Sequence, residues 1–460
     1  FSTAVPARES IFFLRGDVHG LKYRTNPSIE PEKLPQGLCW HVSDPLVARW
    51  EPLQPSATEF LPMLWISEAS AQWRTLTTNY LAAISDRLEL EPALRDLARQ
   101  MTAKQENDAA KIALMASYVQ SNVIYKAIEF GRRARIPNRP AEVLRNKYGD
   151  CKDHAVLLQQ LLAAVGVPAQ LALVSHSGPI QQDQPSLDQF DHMIVYVPKG
   201  EDGMFLDCTS KGADVAHAIP YGLAGRTALI LDAGDPRFVS LPQYPGDAST
   251  ISLTQHLRLT NLTDLNVSES LTIRGVHAAY MRDYLMHIPE SSRRMSLQNM
   301  MGMSDADLTD FNIGSLTTPG EPLQLRFSYI LKKQFHRSDN QLRGVLRAGF
   351  ARSYLMASPV DPRLTPFVVA IPLLFESKAF IDVPAGYKPT QPSISELKLD
   401  PKFVTGEGTS QVADGQMIVN FRCRQAAGKF QPADYAAYRQ TLAQASSILE
   451  REVVFNRAKR

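Results

Sequence analysis

Hydrophobic and polar positions follow three patterns in succession along this chain of 460 residues. Short β-like runs, such as 10–14 and 39–42, lead into a proline-marked stretch at 52–62. Hydrophobic residues then recur at the spacing of amphipathic helices, beginning with Trp73, Leu76, Tyr80 and Ile84. Beyond residue 250 hydrophobic and polar residues alternate, as they do at 267–274, which is typical of strands with one buried face.

The middle of the chain predicts helices first and a sheet afterwards. Helices are expected at about 90–103 and 106–122, and another begins near residue 151. Strands are expected at about 169–176, 190–197, 204–207 and 228–231. Helices followed by a small antiparallel sheet indicate the α+β fold class.

A chain of this length is expected to form roughly two to four domains. We interpret residues 1–62 as the C-terminal part of a β-rich flanking domain and 63–245 as an α+β core. Residues 246–460 are interpreted as a β-sandwich-like domain with a helical insert at about 277–300 and a closing helix at about 432–450.

The composition is that of an ordinary globular protein, and it excludes some functions. The 49 Lys and Arg residues nearly balance the 47 Asp and Glu residues, and the net charge of +2 argues against a dedicated nucleic-acid binder. No hydrophobic run reaches the ~20 residues that a membrane-spanning helix needs, so we expect no transmembrane segment. We expect neither a metal nor a cofactor, because the one conceivable ligand set, Cys151, His154 and Cys208, lacks a second closely spaced pair.

The segment from Gly149 to Ala155 puts a cysteine on the first turn of an amphipathic helix. Asp150 is positioned to cap that helix, and Asp153 to complete a capping box. The unpaired N–H groups of a helix start carry partial positive charge, which favours the nucleophilic thiolate of Cys151 and can stabilise a developing oxyanion. The alternative interpretation is a small buried cysteine that begins a core helix.

A histidine and an acid further along the chain favour the catalytic interpretation. His192 lies in a β-rich run and Asp207 at the end of the next one, with turn residues between the two runs. If Val197 pairs with Asp202, the register puts His192 directly opposite Asp207, with Cβ atoms about 5 Å apart. Taken alone, His192 is better explained as an ordinary strand residue and Asp207 as a turn acid at a strand end. Together with the helix-start cysteine, they favour catalysis.

Three segments of the chain carry a family resemblance. Residues 141–154 resemble the nucleophile segment of bacterial transglutaminase-like proteins, 186–192 resemble their histidine segment, and 206–209 resemble their acid segment. These proteins belong to the papain-like and transglutaminase-like superfamily and often carry β-rich flanking domains. The resemblance implies a transglutaminase-like, papain-like core flanked by β-sandwich-type domains. Cys208 stands where proline is more usual, which leaves the acid of the motif intact.

The resemblance implies a Cys-His-Asp triad in which Cys151 is the nucleophile, His192 the general base and Asp207 the acid that orients the ring. The chemistry would be acyl transfer through a thioester on Cys151. The backbone N–H of Cys151 is one expected oxyanion donor, and Asn138 is our candidate for the second. The two acids of the capping box oppose thiolate formation, so an ion pair with protonated His192 is needed to compensate.

Residues 126–147 are locally basic and lead into the nucleophile helix. Cationic side chains there can attract an acidic substrate, and Arg133 and Arg135 are the candidates. The alternative is a solvated loop without a role in binding. Gln189, in the histidine segment, is a third candidate for substrate binding.

Three functions compete for this chain. The first, which we prefer, is a cysteine hydrolase of the protease or amidase kind. The second is an amine-accepting transglutaminase. The third is a non-catalytic module that binds a peptide or a cell-wall fragment on the same fold. In each case the expected partner is a protein, a peptide or a cell-wall peptide, and no nucleic acid.

The resemblance also implies a periplasmic or extracytoplasmic location, because such proteins usually carry an export signal. No secretory signal opens this chain, which begins with Phe1 rather than with methionine. We therefore expect that residues upstream of Phe1 are missing.

Overall fold

A computed structural model describes residues 1–2, 5–47, 49–128, 130–200, 203–302, 306–347, 349–360, 362–390 and 398–458. The chain divides into two units, Phe1–Lys211 with Val215–Gln243, and Gly212–Asp214 with Tyr244–Arg460. The first unit thus includes residues 1–62 together with most of the expected core, 63–245. The division of the chain into three domains stays a prediction.

The first unit combines helices with several sheets. Its described helices are α1 (Trp73–Ala83), α2 (Pro92–Thr102), α3 (Asp108–Asn122), α4 (Pro140–Asn146) and α5 (Cys151–Ala164). Its described strands are β1 (Glu9–Arg15), β2 (Leu21–Asn26), β3 (Glu32–Leu34), β4 (Gly37–Ser43), β5 (Met63–Glu68), β6 (Ile124–Tyr125), β7 (Tyr148–Gly149), β8 (Gln170–Val174), β9 (His192–Val197), β10 (Met204–Leu206), β11 (Thr227–Ile230) and β12 (Arg237–Ser240). The helices and strands predicted between residues 90 and 231 are confirmed.

Helix α5 lies at the centre of this unit. It contacts α2, α3, α4, β8 and β9. Its hydrophobic residues, including Val156, Leu157, Leu161 and Leu162, are fully buried. A helix that is apolar on most of its surface belongs in the interior of a domain. The first turn, which carries Cys151, is therefore held by the core of the unit.

A five-stranded sheet in the order β10-β9-β8-β11-β12 covers this helix, and its neighbouring strands are antiparallel. The smaller sheets of the first unit are β1-β4-β3, β2-β5 and β6-β7. The β6-β7 pair is parallel and ends at Gly149, so it fixes the chain just before α5 begins. Sheet and helices together confirm the α+β fold class.

The register of the β9–β10 hairpin differs from the predicted one. Val197 pairs with Met204, and Asp202, its predicted partner, lies outside the described residues. Residues 198–203 connect the two strands, two residues more than predicted, and Gly200 and Gly203 have positive φ, of 65° and 69°. The direct opposition of His192 and Asp207 was therefore wrong. A shift by two residues still leaves both side chains on one face of the sheet.

The second unit is built mainly from strands. Its described helices are α6 (Val276–His287), α7 (Glu290–Met301) and α8 (Tyr435–Ser447). Its described strands are β13 (Ser249–Thr260), β14 (Asp264–Gly275), β15 (Ala306–Ile313), β16 (Leu323–Leu331), β17 (Phe335–Arg337), β18 (Gln341–Val345), β19 (Phe367–Val369), β20 (Leu373–Asp382), β21 (Tyr387–Pro389), β22 (Val404–Ala413), β23 (Gln416–Gln425), β24 (Gly428–Phe430) and β25 (Glu452–Arg457). The helical insert and the closing helix are confirmed.

The largest sheet of the second unit has the order β15-β16-β14-β13-β20-β23-β22. Alternate residues of β14 are buried, as the sequence pattern predicted. Smaller sheets are β17-β18-β25-β21 and β19-β24. The assignment of this unit as a β-sandwich stays a prediction.

Candidate active site

The start of α5 forms the capping box that the sequence predicted. The Asp153 backbone N–H donates to Asp150 Oδ1 at 3.4 Å, and the Asp150 backbone N–H donates to Asp153 Oδ2 at 3.2 Å. Lys152 forms an ion pair with Asp150, and both side chains are buried. Cys151, the first residue of the helix, has 6% of its surface exposed. The cysteine therefore lies at a capped and nearly buried helix start.

The Asp153 carboxylate also binds Asn138, and this contact fixes where the Asn138 side chain lies. Asp153 Oδ1 accepts from the Asn138 backbone N–H at 2.7 Å, and Asp153 Oδ2 accepts from Asn138 Nδ2 at 3.0 Å. Asn138 is not among the described residues that line the cleft beside Cys151. Its amide holds the capping acid instead of facing the cleft as an oxyanion donor would.

The Asp153 side chain leaves no room for a side chain at position 149, so this residue must be glycine. A Cβ atom at this position would lie 2.5 Å from Asp153 Cβ and 2.9 Å from Asp153 Oδ2. The Lys126 backbone N–H donates to the Gly149 carbonyl at 2.9 Å across the β6–β7 pair. The chain just before Cys151 is thus fixed by sheet pairing on one side and by Asp153 on the other.

Cys151 and His192 both line a cleft of about 300 Å³. Its described lining residues are Tyr80, Ala134, Arg135, Cys151, Lys152, Leu173, Leu187, Asp188, Phe190, Asp191, His192 and Met193. The lining combines hydrophobic side chains with the polar or charged groups of Arg135, Lys152, Asp188, Asp191 and His192. Such a lining offers a ligand hydrophobic contacts together with polar groups that fix its orientation.

His192 contacts Asp207 beside the cleft that Cys151 also lines. Its Nε2 lies 2.9 Å from Asp207 Oδ2, and the two side chains are 9% and 11% exposed. Cys151 and His192 line the same cleft. Asp207 Oδ1 accepts from the Thr209 backbone N–H at 2.9 Å and from Thr209 Oγ1 at 2.7 Å, which fixes the carboxylate.

The electrostatics of this pair favour its charged form. Burial alone would lower the pKa of His192, but the charge and hydrogen bond of Asp207, with a smaller contribution from Cys151, raise it well above its usual range. Burial alone would raise the pKa of Asp207, but His192 and the hydrogen bonds from Thr209 lower it. The arrangement therefore stabilises an imidazolium next to a carboxylate.

A second histidine, which sequence reasoning missed, lies against the first. The ring centroids of His176 and His192 are 4.9 Å apart. Burial and the neighbouring His192 lower the pKa of His176, so it packs as a neutral ring. Asp191 accepts from the His176 backbone N–H at 2.8 Å and from the Ser177 backbone N–H at 3.0 Å. The signal was present in the sequence, because pairing of β8 with β9 puts Val174 opposite His192 and so brings residue 176 close.

Tyr80 is another cleft residue that the sequence analysis assigned only to a core stripe. Its hydroxyl donates to the Arg135 carbonyl at 2.8 Å. Burial, together with the nearby Cys151 and Asp150, raises its pKa, so the phenol stays neutral. Tyr80 thereby fixes the backbone of a loop that borders the cleft.

The three predicted substrate-binding residues lie in different surroundings. Arg135 lines the cleft and forms an ion pair with Asp188. Arg133 is exposed and is not among the described lining residues. Gln189 binds backbone groups of its own loop, with distances of 2.7 and 3.1 Å to Gln181 and 2.7 Å to Gln184. Of the three, the cleft includes Arg135.

Within the described ranges, no group of three or more His, Cys, Asp or Glu residues could hold a metal ion. The two further residues of the conceivable zinc set have other partners. The His154 ring lies 2.8 Å from the Asp150 carbonyl, and Cys208 Sγ donates to the Ala116 carbonyl at 3.5 Å.

In the part of the chain that the structure describes, no helix is both long enough and apolar enough to cross a bilayer.

Comparison with known proteins identifies the core. Residues 95–203 match the model of the transglutaminase-like superfamily. A search of curated proteins finds no match. Among solved structures, a candidate protease from Parabacteroides distasonis is similar over 99% of this chain and 74% of its own, with 14% sequence identity and a TM-score of 0.60. This likeness shows the fold.

Two further structures match a smaller part of the chain. A candidate cysteine protease from Cytophaga hutchinsonii is 16% identical and covers 44% of this chain and 66% of its own, with a TM-score of 0.22. LapG from Legionella pneumophila is 16% identical and covers 36% of this chain and 74% of its own, with a TM-score of 0.17. We draw no conclusion from these two.

The Asp153 carboxylate gives a first testable prediction. Asp153→Asn replaces an acceptor oxygen by an NH₂ group that faces N–H donors, so the free energy of unfolding should fall by about 1–3 kcal/mol. Urea denaturation at neutral pH measures this change. The control is Asp96→Asn on the exposed face of α2, which should change it by less than about 0.5 kcal/mol. Equal effects of the two substitutions would contradict the role assigned to Asp153.

The His192–Asp207 pair gives a second prediction, on pH dependence. The pKa of His192 is raised in the folded state. Its contribution to the free energy of unfolding is therefore complete below its ordinary pKa of 6.5 and is lost as pH rises through the folded-state pKa. The pKa of Asp207 is lowered in the folded state. Its contribution to the free energy of unfolding is therefore present above its ordinary pKa of 3.8 and is lost as pH falls through the folded-state pKa.

The free energy of unfolding should therefore differ most between wild type and Asp207→Asn near pH 5.5, by about 1.5–3 kcal/mol, and less at about pH 10. Denaturation with urea across this range measures the difference. A difference that is constant or grows toward alkaline pH would count against a charged pair.

Proposed function

Because residues 95–203 carry a transglutaminase-like domain, we propose that the protein is a cysteine-dependent enzyme that transfers acyl groups from amide or peptide bonds. The observation that carries the proposal is the 2.9 Å contact of His192 with Asp207, beside the cleft that Cys151 and His192 line. In this proposal Cys151 is the nucleophile, His192 the general acid and base, and Asp207 the group that orients the ring.

The reaction has two halves. The Cys151 thiolate attacks the carbonyl carbon of the substrate, and protonated His192 gives its proton to the leaving amine as the C–N bond breaks. A thioester remains on Cys151. Neutral His192 then removes a proton from water, the hydroxide oxygen attacks the thioester, and the acid product leaves as the thiolate returns.

Two features support a thiolate at Cys151. The start of α5 has partial positive charge, and His192, whose pKa is raised, brings positive charge to the cleft that both residues line. The two acids of the capping box oppose a thiolate, but Lys152 neutralises Asp150 and the Asp153 carboxylate accepts three N–H hydrogen bonds. Their repulsion of the sulfur is thereby reduced.

The tetrahedral intermediate carries an oxyanion that needs donors. We assign its stabilisation to the backbone N–H of Cys151 at the start of α5. Asn138 takes a different role in this proposal, because its amide binds Asp153. It is a positioning residue that keeps the helix start in place for the nucleophile.

Hydrolysis is favoured over transfer to an amine by the surroundings of the cleft. Arg135 and Asp188, which border it, are 54% and 79% exposed, so bulk water reaches this edge. A transferase needs to exclude water from its acyl-enzyme, since water competes with the amine. Transglutamination is the second candidate, and a non-catalytic peptide-binding module is the third.

The lining suggests the kind of substrate. Leu173, Leu187, Phe190 and Met193 are among the residues that line the cleft, and they suit hydrophobic groups of a peptide. A protein, a peptide or a cell-wall peptide remains the proposed partner. A periplasmic or extracytoplasmic location also remains a proposal.

Alkylation of the cysteines with iodoacetamide tests the catalytic role of Cys151. Near neutral pH, Cys151 of the wild type should react roughly tenfold or more faster than Cys39, because the thiolate is the reactive form. Asp207→Asn and His192→Gln should each slow the reaction at residue 151 without changing it at Cys39. Peptide mass spectrometry gives the rate at each cysteine, and a thermal melt of each variant checks that it folds. Equal rates at the two cysteines would overturn the proposal.

The same thiol allows hydrolysis and transfer to be compared. A p-nitrophenyl ester should acylate Cys151 with release of nitrophenolate, and Cys151→Ala should release none above background. With glycine methyl ester present, we expect free acid as the main product, because water reaches the cleft. Amide as the main product at millimolar amine would favour the transglutaminase.

A further inference from the structure

An ion pair joins two loops at the edge of the cleft. Arg135 follows the short 3-10 turn Gly131–Ala134, and Asp188 lies in the 3-10 turn Leu187–Gln189. Both residues line the cleft that contains Cys151, and the Arg135 guanidinium contacts Asp188 Oδ1. The pair thus brings a positive and a negative charge to the place where a substrate would enter.

Both ends of this pair are held by other contacts. The buried Tyr80 hydroxyl binds the Arg135 carbonyl at 2.8 Å, so the backbone that carries the guanidinium is fixed. On the other loop, Ser186 Oγ accepts from the Asp188 backbone N–H at 3.2 Å. The amide of Gln189 ties the same turn to Gln181 and Gln184. The two charges are therefore positioned by structure on each side of the cleft.

The other charged groups of the described lining are occupied within the protein. Lys152 is paired with buried Asp150. Asp191 accepts hydrogen bonds from the backbone N–H groups of His176 and Ser177. The guanidinium of Arg135, by contrast, is half exposed and faces an exposed carboxylate. Exposed ion pairs contribute little to stability, so this carboxylate can be exchanged for one from a ligand.

We propose that Arg135 determines specificity for acyl donors with a carboxylate close to the scissile bond, and that Asp188 occupies Arg135 when the cleft is empty. This inference rests on the proposed function and names the substrate class for that same site. The planar guanidinium binds carboxylates through two parallel N–H groups, which gives direction as well as attraction. Asp188 then acts as an internal competitor that excludes substrates without a matching negative charge.

The test uses small thiol reagents that differ in charge. Methanethiosulfonates with a sulfonatoethyl, a trimethylammonioethyl or a methyl group all modify cysteines, and the sulfonate stands in for a substrate carboxylate. The quantity measured is the rate at Cys151 with the anionic reagent divided by the rate with the cationic one, at low ionic strength. Peptide mass spectrometry separates this rate from that of Cys39, the internal reference.

Arg135→Gln should lower this ratio by about three- to fivefold, and Asp188→Asn should raise it by a similar factor. Arg135→Lys should retain most of the ratio, since the positive charge remains. The matched controls are Arg133→Gln, which removes the same charge two residues away, and Asp183→Asn, which removes an exposed acid of the same loop. Arg133→Gln should change the ratio less than Arg135→Gln does, and Asp183→Asn less than Asp188→Asn does.

If Arg133→Gln lowers the ratio as much as Arg135→Gln, or if Asp188→Asn does not raise it, the inference is overturned. The neutral methyl reagent separates this result from the proposed function. If its rate at Cys151 does not depend on His192 but the ratio still changes in the Arg135 and Asp188 variants, the proposed catalytic function is contradicted and the anion selectivity of the cleft is supported. If the rate depends on His192 but substitution of Arg135 leaves the ratio unchanged, the proposed catalytic function is supported and the proposed specificity is contradicted.

Discussion

The rest of the site depends on how the first turn of α5 is held inside the protein. One carboxylate, Asp153, accepts N–H groups from Asp150 and from the backbone and side chain of Asn138. A buried carboxylate without such donors would be costly, so these contacts and the turn they fix depend on each other. The hydrophobic body of α5 packs between helices and sheet, which leaves Cys151 little freedom of position. The geometry of the proposed nucleophile therefore follows from the core.

The sheet supplies the second half of the site on equally rigid elements. His192 begins β9, and Asp207 follows the end of β10, so both lie where strand pairing ends and a cleft can open. Their contact gains strength because both side chains are nearly buried and because Thr209 supplies two more hydrogen bonds to Asp207. The neutral ring of His176 packs against His192 and limits its movement. In the proposed mechanism, the proton held on His192 in this way stabilises a thiolate and then protonates the leaving group.

The sequence allowed the local features of this site to be predicted, and the non-local ones much less. The capping box at Asp150 and Asp153 depends on residues within one helical turn, so its spacing was sufficient. The predicted hairpin register was wrong by two residues because the connection between β9 and β10 is two residues longer than assumed. The two-residue period of a strand nevertheless kept His192 and Asp207 on one face. The partners of Asn138 and Arg135 are 15 and 53 positions away, and only the folded chain determines which groups meet.

The most direct test of the account is an NMR titration of the His192 ring nitrogens in wild type, Cys151→Ala and Asp207→Asn. If sulfur, imidazole and carboxylate act together, the wild-type midpoint lies above the ordinary value of 6.5, and each substitution lowers it. A midpoint at or below 6.5, or one that does not respond to Cys151→Ala, would contradict the account. In that case His192 and Asp207 would be a structural pair that happens to lie near a buried cysteine.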